Sequence, residues 1–337
     1  MKEAVLYDKL ESGKVKCYLC RHGCLINDGN RGICAVRVNE GGKLYTLVYD
    51  KVVSTNVDPI EKKPIFHLSP GSKSFSIATV GCNFQCSFCQ NYSISQMPRD
   101  RGRIAGEHYS PEEIAGLALS NGCRSISYTY TEPTIYYELA RETMLQARKL
   151  NLLNVFVTNG YMTREMLDDC KGLLDAANVD LKAFNDRFYT HYCKARRDGV
   201  MDSLVYMKEL GIWVEVTTLL IPTLNDDLQE VRDMARFIRT ELGAETPWHV
   251  SRFYPQYKEL SLPPTAVEAL RAVRQIGLDE GLQYVYTGNV PGNTGEKTFC
   301  PGCSEVLIDR VGYRIEKYSI KDGLCPACGH QIAGIEL

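Results

Sequence analysis

Three cysteines constrain this chain more than any other feature. Cys82, Cys86 and Cys89 stand at C-x3-C-x2-C spacing in the run GCNFQCSFCQN, which ends at Asn91. Residues 74–80 before them alternate and are β-prone, so they read as a buried strand that Gly81 ends. The thiols then lie on a loop at a strand's C-terminal end, where α/β barrels carry their chemistry. Three neighbouring thiolates can hold three irons of a [4Fe–4S] cluster and leave the fourth open to a non-protein ligand. Zinc is the competitor, but a structural zinc site asks for four closed ligands, and the next histidine, His108, is remote from Cys89.

The 337 residues carry fourteen cysteines, most of them in three groups: this triad, Cys17/Cys20/Cys24/Cys34, and Cys300/Cys303/Cys325/Cys328. Such groups in a chain this long read as metal sites in a reducing compartment, not as a disulfide scaffold. Cys123, Cys170 and Cys193 read as ordinary buried thiols. The net charge of −2 argues against a nucleic-acid-binding surface. No stretch approaches the roughly 18 apolar residues of a membrane span, and residues 1–16 lack the apolar core of a signal peptide. The expectation is a soluble, cytoplasmic protein.

Composition and periodicity divide the chain in three. Residues 1–70 form a Cys-rich segment with turn signals at Asn27-Asp28-Gly29-Asn30 and too few apolar residues to fold unaided, so a metal is expected as a staple. Zinc and a second iron–sulfur cluster both fit its four thiols. Strands over 43–49 and 51–56 are expected to form a β-hairpin around Asp50. In residues 71–296 strands alternate with helices. The strands are expected over 74–80, 124–130, 153–157, 177–181, 213–218, 248–253 and 283–286, which predicts a parallel sheet with right-handed crossovers. Six units plus a seventh strand give an α/β fold, a partial (β/α)6 TIM-like barrel. In residues 297–337, two C-x2-C knuckles with strand-like residues between them predict a zinc-ribbon-like four-cysteine domain.

Polar residues recur at the predicted C-terminal strand ends: Glu132, then Thr158 and Asn159, then Asp180 and Lys182. That placement marks a site, against the plainer reading of solvated strand ends. A sheltered lysine such as Lys182 can pair with a ligand carboxylate. His249 and Ser251 share one face of their strand, and His249 reads either as a core residue or as a cofactor-binding one.

The run GCNFQCSFCQN, with the aromatic Phe88 just before its last cysteine, resembles the radical S-adenosylmethionine superfamily, and within it the activating enzymes of pyruvate formate-lyase type. The resemblance implies that the open iron chelates the amino and carboxylate groups of S-adenosylmethionine. One electron then cleaves the sulfonium to methionine and a 5′-deoxyadenosyl radical, which abstracts hydrogen from a protein or small-molecule substrate. It implies a reductant such as flavodoxin or ferredoxin. It places Phe88 near cluster and adenine, and Glu132 in a Gly-Gly-Glu-Pro motif whose glycines are here Tyr130 and Thr131. Thr158-Asn159-Gly160 and Asp180-Leu181-Lys182 match the activating enzymes' Thr-Asn-Gly and Asp-Leu-Lys. The latter serves a monovalent cation and the cofactor carboxylate, but Val157 stands where that family has a cation-binding aspartate. Residues 16–37, 81–91, 128–133, 178–184, 247–257, 284–289 and 299–303 resemble the radical component of AmmeMemoRadiSam systems, which implies Memo-like and AMMECR-like partners. The competing class is a non-catalytic iron–sulfur electron-transfer protein, which would need no substrate-sized constellation at its strand ends.

Overall fold

The structure, a computed structural model, describes residues 1–337 except Pro291 and Asn293. An eight-stranded sheet organises it. Its strands are β1 (Ser54–Pro59), β2 (Lys73–Ala78), β3 (Ser125–Tyr128), β4 (Leu153–Thr158), β5 (Ala176–Asp180), β6 (Trp213–Leu220), β7 (Trp248–Arg252) and β8 (Val285–Gly288). They lie side by side in chain order. β2 to β8 are parallel, and β1 adds antiparallel to β2 at one edge.

Helices α1 (Pro111–Ser120), α2 (Tyr137–Lys149), α3 (Arg164–Cys170), α4 (Arg197–Glu209), α5 (Leu228–Phe237) and α6 (Val267–Asp279) follow β2 to β7 in turn. That makes six βα units and a seventh parallel strand, the order a partial barrel requires. The local chemistry explains the starts. Ser110 and Glu113 close a reciprocal capping box with Pro111 in the first turn of α1, and Asp227 caps α5. The inner strands are buried along nearly their whole length, as a sheet covered on both faces demands.

The N-terminal region departs from expectation. Residues 43–46 do not pair across Asp50. The hairpin forms earlier, between Arg37–Glu40 and Lys43–Thr46. Gly41 and Gly42 both take positive φ, 61° and 76°, the two-residue turn whose twist matches paired strands. Lys51–Val52 instead pairs with Glu107–His108, and the rest of the strand expected over 51–56 belongs to β1, which runs on to Pro59.

The four-cysteine tail is not self-contained. Thr298–Phe299, Val306–Val311 and Arg314–Tyr318 form a small antiparallel sheet that shares one apolar cluster with Phe66, Tyr284 and Tyr286. Buried Arg310 reaches the Phe66 carbonyl at 2.9 Å and lies 3.7 Å from the buried carboxylate of Glu61. Truncation after Glu296 would expose those aromatics and strand Glu61 without its cation. It should lower the melting temperature by roughly 10 °C or more, readable by differential scanning fluorimetry.

At the N-terminal strand ends a polar chain runs from Arg310 to Thr298 Oγ1 at 2.7 Å, to the Tyr286 hydroxyl at 2.8 Å, and to His67 Nε2 at 2.7 Å. His67 Nδ1 donates to the Ala333 carbonyl at 2.7 Å. Burial pulls the His67 pKa from 6.5 down to about 4. The sign follows from linkage. Above pH 6.5 the imidazole is neutral folded or unfolded, and its contribution is complete. As pH falls towards 4, only the unfolded chain takes up the proton, so stability is lost at up to about 1.4 kcal/mol per pH unit. Urea unfolding at pH 7 and pH 4.5 should show this slope in the wild type and a flatter one in His67→Gln.

Candidate active site

The loop after β2 carries the triad. Gly81, at φ 106°, turns the chain where a Cβ would come within 2.6 Å of Val36 Cγ1, so only glycine fits. The loop's backbone is then tied down, Gln85 N donating to Cys193 O at 2.9 Å and Ser87 N to Tyr192 O at 3.0 Å. Cys82, Cys86 and Cys89 line a cavity of about 300 Å³ at the C-terminal ends of the strands. Phe84 N donates to Cys82 Sγ at 3.3 Å, and Ser95 Oγ lies 3.2 Å from Cys89 Sγ. Burial and nearby Glu132 push the Cys82 thiol well up, and burial also raises Cys89, whereas a hydrogen bond from Cys193 lowers Cys86. A bound metal supplies the positive charge that would hold all three as thiolates.

Phe88, Glu132, Thr158, Asn159, Asp180 and Lys182 line the same cavity. Glu132 is 1% exposed. Its carboxylate accepts from Thr134 N and Oγ1 at 3.1 and 2.6 Å, from Thr158 Oγ1 at 2.7 Å and from Asn159 N at 2.8 Å. Glu132 therefore ties the β3 and β4 ends together and is not a solvated carboxylate. Asn159 Nδ2 in turn donates to Asn83 Oδ1 at 2.7 Å, which couples these strand ends to the cysteine loop. Lys182 Nζ lies 2.6 Å from Asp180 Oδ2 and 6.0 Å from the centre of the Phe88 ring. Burial works against its charge, but Asp180 and the thiols of Cys86 and Cys193 outweigh it, and the ammonium is held well above the ordinary lysine range.

One expected site residue lies elsewhere. His249 is 3% exposed and does not line the cavity. It sits near the start of β7, where its Nε2 is 2.6 Å from Glu215 Oε2 and its ring packs on Phe66 and Tyr286. Glu215 is buried near the start of β6 and also accepts from Phe66 N and His67 N. Two positions on, the same faces of β6 and β7 do reach the cavity, through Thr217 and Ser251.

Other residues were missed. Tyr130 holds φ 61° without being glycine. Its hydroxyl bonds Asp58, and Lys63 Nζ lies 4.4 Å from its ring centre, so side-chain anchoring offsets the backbone strain. Burial lowers the Lys63 pKa to about 8 despite its Asp58 partner. Cys193, read as an ordinary buried thiol, touches Cys86. Only the density of charge in Glu61-Lys62-Lys63 hinted at this wall.

The donor set fits an iron–sulfur cluster with one open iron. Three thiols face the cavity, and no other cysteine and no histidine lines it among the described residues. Of the cavity's carboxylates, Glu132 is engaged by four donors and Asp180 by Lys182. Fold and site together give an α/β fold with three thiols and its cavity at the C-terminal strand ends.

Comparison with known proteins agrees. The family model of the Radical SAM superfamily matches residues 76–238. The uncharacterized protein MJ0808 of Methanocaldococcus jannaschii is 46% identical over 335 residues, 98% of this chain and 99% of its own. A second protein of that organism, named provisionally as a glycyl-radical enzyme activating enzyme, is 24% identical over 64% of this chain and 80% of its own. A radical SAM methyltransferase structure from Sphaerobacter thermophilus superposes with a TM-score of 0.52 at 16% identity, covering 66% of this chain and 67% of that one. The chain belongs to the radical SAM superfamily, whose members work with a [4Fe–4S] cluster and S-adenosylmethionine. Among the described residues no helix is long and apolar enough to cross a membrane.

Proposed function

We propose that this protein reductively cleaves S-adenosylmethionine and uses the product radical to abstract hydrogen from a protein or small-molecule substrate. The observation that carries the reading is the single cavity that joins Cys82, Cys86 and Cys89 to Asn159, Asp180 and Lys182. When bound, the cluster supplies the electron that breaks the sulfonium to methionine and a 5′-deoxyadenosyl radical. The chain's own residues do the rest. The three thiols hold the cluster. Asn159, fixed between Glu132 and Asn83, turns its amide nitrogen towards Cys82 Sγ at 3.8 Å. Phe88 covers one side of the cavity, and Lys182 presents a charge to the cofactor carboxylate. Incubation under anaerobic conditions with dithionite and S-adenosylmethionine, followed by mass spectrometry for 5′-deoxyadenosine, tests the reading. Failure to form it with a full cluster would reject it.

Lys182→Ala should weaken S-adenosylmethionine binding about tenfold or more, because a charged hydrogen bond in a partly dry site is worth roughly 1.5–3 kcal/mol. Lys182→Arg should rescue only in part, since the fork reaches differently. Calorimetry on cluster-replete protein reads both. Unchanged affinity in the alanine variant would remove Lys182 from the pocket.

A second reading, activation of a glycyl-radical enzyme, draws support from the relative that carries that name. The broader resemblance assigns the chain to an AmmeMemoRadiSam system, with Memo-like and AMMECR-like partners and a flavodoxin or ferredoxin as reductant. Co-purification with such proteins tests it. The tail thiols, with Cys300 and Cys328 sulfurs 3.6 Å apart and Cys303 and Cys325 sulfurs 3.7 Å apart, suit a tetrahedral zinc ion.

A further inference from the structure

The N-terminal segment brings Cys17, Cys20, Cys24 and Cys34 to the wall of one small internal cavity with Arg37 and Ile135. These sulfurs are not gathered as the tail thiols are. Among the described residues, the tail quartet is the one group of three or more candidate ligand atoms all within 4.8 Å of one another. Sulfurs roughly 2.3 Å from one zinc ion must crowd in that way. A cluster spreads its thiolates, one to each iron or two to an iron at opposite ends, and the Cys82 triad is likewise ungathered.

Arg37 gives the second observation. It is 1% exposed, and its Nη1 reaches Cys17 Sγ at 3.5 Å and the Val5 carbonyl at 3.0 Å. Its Nη2 pairs with Glu138. Its Nε is buried without a partner. A buried guanidinium on the wall of a four-thiol cavity suits an anionic cluster, with an N–H left for one of its sulfurs.

The two cysteine loops also touch. A Cβ at Gly81 would meet the Cys34 carbonyl at 3.4 Å, and His22 Nε2 lies 2.9 Å from the Asn83 carbonyl.

We propose that Cys17, Cys20, Cys24 and Cys34 hold a second iron–sulfur cluster, which relays electrons to the one on Cys82, Cys86 and Cys89. The relay balances without bond changes. A reduced flavin- or iron–sulfur-type donor protein loses one electron, the N-terminal cluster takes it and passes it on, and the triad cluster is reduced by one. The relay rests on the function proposed above, but the occupancy of the N-terminal site does not, so the two can fail separately.

The test of occupancy is the whole chain with Cys82, Cys86 and Cys89 all changed to alanine, reconstituted anaerobically with iron and sulfide. It should still bind iron and sulfide and show a reducible cluster by electron paramagnetic resonance, with a signal that S-adenosylmethionine does not alter. Zinc without iron at this site would overturn the proposal. Should that variant misfold, Cys17→Ser/Cys20→Ser in the otherwise intact chain should lose about a third to a half of the bound iron, and an unchanged iron content would overturn it equally. In that second variant the ratio of flavodoxin-driven to dithionite-driven S-adenosylmethionine cleavage should fall at least tenfold. An unchanged ratio would overturn the relay.

Discussion

Cys86→Ala will reduce S-adenosylmethionine cleavage to background while the barrel stays folded. In the proposed site Cys86 would be the middle ligand, and removing its sulfur would leave two thiolates for three irons. The loop does not need that sulfur for its shape, because Gln85 N and Ser87 N are held by the Cys193 and Tyr192 carbonyls. The side chain itself is small, so truncating it to alanine costs little packing. Circular dichroism should therefore match wild type, while 5′-deoxyadenosine formation disappears. Cys193 touches Cys86 but does not line the cavity, so Cys193→Ala should keep the cluster. Cleavage that survives intact in Cys86→Ala would remove the triad from the chemistry.

The second large effect is on stability. Glu132→Ala removes the acceptor for Thr134 N, Thr134 Oγ1, Thr158 Oγ1 and Asn159 N, all within a buried corner. Each buried donor left without a partner costs about 1–3 kcal/mol, and even with partial relaxation the variant should lose roughly 3–6 kcal/mol. Glu132→Gln keeps the shape and one carbonyl acceptor and should lose less. Urea unfolding of both variants reads this. Because the same carboxylate sets the position of Asn159, the alanine variant should also bind S-adenosylmethionine more weakly than its residual fold would suggest. An alanine variant as stable as wild type would mean that the two strand ends hold their places without Glu132.

How far the sequence could be read depends on the kind of signal. The cysteine loop was legible because ligand spacing is local. Asp180 and Lys182 were legible because strand alternation puts them on one face at a strand end. His249 was misplaced for a reason of depth. Alternation assigned it the same face as Ser251, but a face does not say how far along the barrel a residue sits. β6 runs to Leu220, two residues past its expected end, so Glu215 and with it His249 lie low in the barrel, while Thr217 and Ser251 reach the cavity. The hairpin was misread because Asp50 looked like a turn, whereas Gly41-Gly42 could take two positive φ angles and won. The strand expected over 51–56 stopped short of the end of β1, since a strand with a proline and exposed polar positions carries a weak pattern. The tail's dependence on the barrel was invisible because it rests on long-range pairs, Arg310 with Phe66 and His67 with Ala333, that no local pattern encodes. The Glu132 network shows the same limit, since its four donors come from the ends of two different strands.

The most direct test of the central claim is pulsed electron–nuclear double resonance on the reduced protein with S-adenosylmethionine labelled with nitrogen-15 at its amino group. If Cys82, Cys86 and Cys89 hold a cluster with an open iron, the labelled nitrogen will couple strongly to the cluster spin, as expected of a direct iron ligand. A fully reduced cluster that shows no such coupling at saturating S-adenosylmethionine would contradict the account.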